Sequence, residues 1–307
     1  GTTFLELTSQ DTILAFLPPF HSFGLSVTGI LPILLGMRMV FHPDPTDAST
    51  LAAKLKAYEV TLLIGTPTFL SHILDKASKT TLDKLRLIIS GAEKCPPTVF
   101  KLAHKVAPHA KLLEGYGITE CSPVVAVNPP HLQKKESVGK PLPGVDVLII
   151  DIETDRILKT NETGMLYLSG PTIFNGYLGE EENNPFKIIN NRNWYITGDL
   201  VMQDEDEFIF FKGRLKRFIK FGGEMISLPA LEEVFSSAFP ADENGPMVAV
   251  EDIEKENRKH VYLFNRNPME ISEANRLLQE AGFRGIMRID KIILVDEIPV
   301  LGTGKTN

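Results

Sequence analysis

Three short apolar runs, residues 12–17 (TILAFL), 60–64 (VTLLI) and 85–90 (LRLIIS), constrain the first third of this chain more than any other feature. A strand that is apolar along its whole length, and not merely on alternate residues, is one covered on both faces. Between the runs lie stretches of helical character at residues 25–35, 48–58, 68–77 and 97–106, the last with two prolines at its start, where a helix tolerates them. Alternating strands and helices predict a parallel sheet flanked by helices. From residue 145 the pattern changes to short strands (DVLII, GMLYLSG, EFIFFKG) with turn signals at Thr163-Gly164 and Asn175-Gly176, which predicts an antiparallel, barrel-like part.

After Gly213 a basic run from Arg214 to Lys220 leads into Gly222-Gly223, and the remainder has the composition of a small α+β unit. A boundary is expected there, giving residues 1–213 (a sheet-and-helix part, 1–144, and a barrel-like part, 145–213) and residues 214–307. Ser227 is the expected cap of a helix whose apolar face is Leu231, Val234, Phe235 and Ala238, and residues 272–281 offer a second helix. The fold class expected is therefore α/β with an α+β tail. A length of 307 residues agrees with about two domains at roughly 150 residues each.

Composition removes several functional classes. With 43% apolar and 23% charged residues the chain is globular, not disordered. A net charge of −7 argues against nucleic acid as a partner, since phosphate binding calls for a basic face. Two cysteines, Cys95 and Cys121, argue against a disulfide framework, suit a reducing compartment and lack metal-ligand spacing. No secretory signal opens the chain, and its first residues read as the interior of a longer protein. The apolar stretch 25–41 is interrupted by Pro32 and Arg38 and falls short of a membrane span; it is expected to be a buried helix, with membrane contact as the alternative.

The chemistry is expected in loops after the strands, because ligands of parallel sheets bind outside the strands' carboxyl ends. LRLIIS delivers the chain into Gly91-Ala92-Glu93, small residues that let a flat ring approach. Next comes Glu114-Gly115-Tyr116-Gly117-Ile118-Thr119-Glu120, an aromatic between glycines followed by a hydroxyl and a carboxylate. Tyr195-Ile196-Thr197-Gly198-Asp199, the basic run with Arg214 and Lys216, and the final Leu301-Gly302-Thr303-Gly304-Lys305 complete the set. Taken singly, each has a plainer explanation: a turn, a solvated loop, a basic edge strand, a frayed lysine.

Together, in this order, they resemble the acyl-adenylating superfamily of acyl-CoA synthetases, luciferases and peptide-synthetase adenylation domains. The resemblance implies ATP and Mg2+ as cofactors, a carboxylic acid as substrate and a carrier thiol as acceptor. By it, Tyr116 stacks on adenine against Gly91-Ala92, with Glu93 and Gly117 in the same nucleotide site. Thr119 meets the α-phosphate, and Glu120 helps to hold the metal. Asp199 takes the ribose hydroxyls with Arg214 nearby, Lys216 is the hinge, and Lys305 is the catalytic lysine of adenylation. Gly115, Gly222 and Gly223 line the acyl and pantetheine path.

The segment LPPFHSFGLSV, with SGAEK and EGYGITECSPVV, is similar to the acyl-ACP synthetase branch, in which this unit is joined to a 2-acylglycerophosphoethanolamine acyltransferase. That implies a fatty acid substrate, acyl carrier protein or CoA as partner, His21 at the substrate entrance, and a cytoplasmic location with membrane association only through an upstream domain. The superfamily's Gly/Ser/Thr-rich phosphate loop is expected upstream of Gly1. A fatty acyl-CoA ligase and a noncatalytic nucleotide- or acyl-binding module are the alternatives.

Overall fold

The computed structural model describes residues 2–79, 81–179, 184–221, 224–242, 245–255, 258–285 and 287–299. Two compact units divide the chain, one comprising Gly1–Thr197 with Val201–Phe211 and the other Gly198–Leu200 with Lys212–Asn307.

The first unit opens on the short helix α1 (Thr2–Leu5) and a seven-stranded sheet: β1 (Thr12–Ala15), β2 (Arg38–Phe41), β3 (Leu62–Gly65), β4 (Leu87–Ser90), β5 (Lys111–Gly117), β6 (Val124–Val127) and β7 (Lys140–Pro141), in the order β2-β1-β3-β4-β5-β6-β7. The pairings from β2 across to β5 are parallel, as the alternation predicted, and β6 and β7 join antiparallel. β1, β3 and β4 are buried at every residue. Their side chains alternate between two cores. Leu14, Leu63 and Ile88 pack with α3 (Ala48–Ala57), α4 (Pro67–Lys76) and α5 (Pro97–Val106), while Ile13, Leu62, Ile64, Leu87 and Ile89 face α1 and the helical segment that precedes β2. Each such fully buried leucine or isoleucine contributes about 1.5–3 kcal/mol.

That preceding segment corrects the expectation of a buried helix over the apolar stretch 25–41, the end of which is β2 itself. It is a π-helical stretch, Gly24–Ile30, continuing as α2 (Leu31–Leu35), and Ile33 and Leu34 are 71% and 77% exposed. One helix on one face of a sheet buries a single stripe, here Val27 with Leu31 and Leu35, so an apolar opposite face is left outward. The Thr28 hydroxyl donates to the Gly24 carbonyl at 2.8 Å, competing for an oxygen that the regular ladder would use. No helix among the described residues is long and apolar enough to cross a membrane.

A second, curled sheet follows: β8 (Asp146–Ile150), β9 (Thr163–Ser169), β10 (Phe186–Ile189) and β11 (Arg192–Gln203), ordered β10-β11-β9-β8, with β12 (Ile209–Arg214) on β11. Thr163-Gly164, expected as a turn, instead begins β9. Gly164 is small for packing and not for turning, since a Cβ there would lie 2.5 Å from the Ile150 carbonyl oxygen of the neighbouring strand. Leu166, Leu168, Tyr195, Val201 and Ile209 of this sheet share a core with Cys121, Val125 and Ala126.

The two sheets of the first unit are buckled by Asn128, which is 3% exposed. Its Nδ2 donates to the carbonyls of Glu114 (3.3 Å) and Ser137 (2.8 Å), and its Oδ1 faces the Lys134 N–H and the Ser137 hydroxyl, both at 3.1 Å. The segment so held continues into Val138 and Gly139, which exchange backbone hydrogen bonds with Ile209 of β12. Gly139 has φ +93°, and a Cβ there would fall 1.9 Å from the Val127 carbonyl carbon.

The second unit has a hairpin, β13 (Phe218–Phe221) with β14 (Glu224–Ser227), and a sheet in the order β15-β16-β17, from β15 (Val248–Lys255), β16 (Arg258–Asn265) and β17 (Lys291–Leu294). Helices α6 (Leu228–Ala238) and α7 (Ile271–Glu280) cover a core of Leu231, Phe235, Val250, Leu263 and Leu278. Ser227 caps α6 by accepting the Ala230 N–H. Ala238, expected on the apolar face, is exposed at the helix end, and Phe239 packs against the core in its place.

Asn128→Ala removes all four of these bonds; the Ser137 hydroxyl keeps the Lys134 carbonyl and the Glu114 carbonyl keeps the backbone N–H of residue 128, but the Ser137 carbonyl and the Lys134 N–H lose their side-chain partner. We expect a loss of about 2–3 kcal/mol, read as a lower urea midpoint at unchanged m value.

Candidate active site

Three loops meet at the carboxyl ends of the parallel strands. The first leaves β4, whose Ser90 pairs with Glu114 of β5. Gly91 packs so closely under Phe23 that a Cβ would meet its ring at 3.3 Å. Ala92 turns the chain with a left-handed φ of +75°, and the Cys95 N–H donates to Glu114 Oε1 at 3.3 Å, folding the loop back onto β5. Glu93 Oε2 accepts from the Thr68 hydroxyl at 3.4 Å.

The second loop is the end of β5 and the 3-10 turn Thr119–Cys121. Gly115 sits beside Val127 of β6, and Gly117 leaves no room for a side chain, because a Cβ would lie 2.4 Å from the Pro123 carbonyl oxygen. Tyr116 is half-buried, with its ring 5.8 Å from that of Phe211 at 32°. The third loop follows β1. There the Ser22 hydroxyl lies 3.0 Å from the Thr119 hydroxyl, and His21 Nδ1 accepts the Phe23 N–H at 3.2 Å.

Glu120 is held from the far side by residues 172–177. Its carbonyl accepts the Phe174 N–H at 2.9 Å, and its Oε1 accepts the Tyr177 hydroxyl at 2.7 Å. Ser22, Tyr177 and Phe211 escape a sequence-only reading. Tyr177 follows the Asn175-Gly176 turn signal directly, and an aromatic at the exit of such a turn was the one available hint.

In the second unit, Asp199 is not part of a solvated loop. It belongs to β11, is 1% exposed, and its Oδ1 lies 3.3 Å from Arg214 Nε. A buried carboxylate demands a charged or hydrogen-bonding partner, and the start of the basic run supplies one. Arg217 of the same run is structural, reaching Glu232 at 2.9 Å and the Val250 carbonyl at 2.6 Å. Lys216 is exposed in the 3-10 turn Leu215–Arg217. Gly222, Gly223 and Lys305 lie outside the described residues.

A cavity of about 320 Å³, lined by Phe100, His104, Lys111, Leu112 and His131 among others, opens at the opposite end of β5 and includes none of these residues.

Burial pushes the Cys95 thiol up to about 12 and also raises the Glu114 carboxyl above its ordinary 4.5, despite the Cys95 N–H and nearby Lys94 that favour its charge. A raised acid binds its proton more tightly when folded. Its stabilising contribution is complete below the unfolded value and is lost as pH rises through the folded one. Glu114→Gln keeps the acceptor for Cys95 without the charge. We therefore expect its urea midpoint to exceed wild type at about pH 8 and the difference to vanish at about pH 4.

The chain is 29% identical over 307 residues to 4-coumarate–CoA ligase-like 8 of Arabidopsis thaliana, covering 97% of this chain and 54% of that protein. It is 31% identical over 228 residues to a long-chain-fatty-acid–CoA ligase of Yersinia pestis, covering 73% and 40%. Thus the chain spans about half the length of the curated relatives it matches. Among solved structures, O-succinylbenzoate coenzyme A synthetase of Bacillus subtilis, in complex with ATP and magnesium ion, superposes with a TM-score of 0.84 at 25% identity, over 99% of this chain and 62% of that one. The AMP-binding enzyme family matches residues 1–178, more than half of the sequence, and the chain belongs to that family.

Proposed function

We propose that this chain forms the adenylate-binding and thioester-forming part of an ATP-dependent acid–thiol ligase, with ATP and Mg2+ as cofactors and a fatty acid as substrate. The observation that carries this reading is that loop 91–95 folds back onto Glu114 at the carboxyl ends of two paired parallel strands, where the chain continues into Tyr116, Thr119 and Glu120, in a chain of the AMP-binding family. In the first unit, Gly91, Ala92, Glu93, Tyr116 and Gly117 are assigned to the base, Thr119 to the α-phosphate, and His21 and Gly115 to the acid. In the second, Asp199 and Arg214 are assigned to the ribose, Lys216 to the hinge, Gly222 and Gly223 to the thiol path, and Lys305 to electrostatic catalysis.

The acid's carboxylate oxygen attacks the α-phosphorus and pyrophosphate leaves; a thiol then attacks the acyl carbon and AMP leaves. No protein nucleophile enters, so the residues act by positioning and electrostatics. Among the described residues no group of three or more His, Cys, Asp or Glu side chains could cage a metal. Mg2+ uses one or two carboxylates and shares its shell with water and phosphate, and Glu120 is the carboxylate assigned to it. The ion would neutralise phosphate charge.

For the acceptor, the relatives' names favour CoA, whereas the likeness of LPPFHSFGLSV to the acyl-ACP synthetase branch favours an acidic carrier protein. The test is fatty-acid-dependent exchange of labelled pyrophosphate into ATP by the full-length natural chain. We expect exchange in wild type and a loss of about 100-fold or more in Lys305→Ala. No exchange with any of a broad panel of acids overturns the reading, and thioester formation with CoA or with acyl carrier protein then decides the acceptor.

A further inference from the structure

The segment 172–177 has no role in the assignments above, yet it grips the chain at three points, two on Glu120 of the turn Thr119–Cys121 and one on Ser122 just after it. Ser122 Oγ donates to the Thr172 carbonyl at 2.9 Å, the Phe174 N–H to the Glu120 carbonyl at 2.9 Å, and the Tyr177 hydroxyl to Glu120 Oε1 at 2.7 Å. The segment is seated by aromatic packing. The Phe174 ring lies 4.9 Å from Tyr177 at 68°, 5.1 Å from Tyr195 at 87° and 5.5 Å from Phe186. Backbone and side chain of Glu120 are therefore fixed by one loop.

Resting on the adenylation reading of the same site, we propose that Tyr177, backed by Tyr195, is a positioning residue that orients the Glu120 carboxyl group toward a divalent cation. The Tyr177 proton is committed to Glu120 Oε1. The Tyr195 hydroxyl, 3.5 Å from that of Tyr177, then donates to the Tyr177 oxygen, so both O–H dipoles point toward the carboxylate. Tyr195 is 4% exposed, and burial, the hydrogen bond to Tyr177 and the charge of Glu120 all raise its phenol, keeping the proton in place. With Oε1 occupied, Oε2 is the oxygen left to face a cation. Without the clasp, a half-exposed glutamate spreads over several rotamers, and a metal must order it on binding. Tyr177 itself is 44% exposed, so its hydroxyl is not needed to fill the core.

The experiment uses the full-length natural chain with a nonhydrolysable ATP analogue and Mn2+ in place of Mg2+, reading bound Mn2+ by electron paramagnetic resonance. Variants are Tyr177→Phe, which keeps the ring, Glu120→Gln as the direct loss of the carboxylate, and Phe186→Leu, which loosens the aromatic seat and leaves the hydroxyl. We expect Tyr177→Phe to raise the Mn2+ midpoint about 3- to 10-fold. Affinity for the metal-free analogue should be unchanged, and Phe186→Leu, which loosens the seat but keeps the hydroxyl, should raise the Mn2+ midpoint by a smaller factor than Tyr177→Phe, about two-fold. A wild-type midpoint in Tyr177→Phe, or equal losses in Tyr177→Phe and Phe186→Leu, overturns the positioning role while leaving the adenylation reading intact. Failure of wild type to retain Mn2+ with the analogue, or indifference to Glu120→Gln, strikes the metal assignment of Glu120 and takes this proposal with it.

Discussion

The carboxamide of Asn128 is the small group on which the first unit turns. Buried at 3% exposure, it has two donors and two acceptor lone pairs, and all four are used within the chain. One donor goes to the Glu114 carbonyl, where β5 enters the candidate site. The other three bonds hold residues 134–137, so that Val138 and Gly139 reach Ile209 of the curled sheet. A buried amide with one bond missing costs more than an apolar residue of the same shape, so the network has value only when complete. Gly139 reinforces the point, since its left-handed φ and its contact with Val127 forbid a side chain where the two sheets join.

The parallel sheet is asymmetric from end to end, and that asymmetry makes room for chemistry. At the amino end of β1 and β4, Arg86 meets Asp11 through a bidentate pair at 2.8 and 2.7 Å, tying the strands where no ligand is expected. At the carboxyl end the chain uses glycines for close approach and a left-handed alanine for a turn. Gly91 and Gly117 bring backbone against neighbouring groups, and Ala92 bends the loop toward Glu114. Tyr116, Thr119 and Glu120 emerge from this tightened ground already oriented.

Orientation of Glu120 depends further on a cluster assembled from distant segments. Phe174, Tyr177, Phe186 and Tyr195 pack edge to face or tilted, so the hydroxyl that reaches Glu120 comes from a loop fixed by ring contacts. Each ring occupies an unremarkable place in the sequence. Their common function exists only once β10 and β11 have paired beside the loop.

The sequence by itself determined what depends on local pattern. Fully apolar runs became all-buried parallel strands, 97–106 became a helix with those bounds, and Ser227 became the cap of α6, because periodicity, proline placement and capping act over a few residues. The motifs that carry Tyr116, Thr119, Glu120 and Asp199 are contiguous in the sequence, and the structure sets Tyr116 at the end of β5, Thr119 and Glu120 in the turn after it and Asp199 in β11. Tertiary structure decided the rest. It left Ile33 and Leu34 outward although their segment is apolar throughout, used Gly164 for close packing instead of a turn, and replaced Ala238 by Phe239 at the core. It also brought Ser22 to Thr119 across 97 positions and Tyr177 to Glu120 across 57. Such contacts follow from strand order and sheet curvature, and no periodicity within a segment encodes which distant segment will lie beside it.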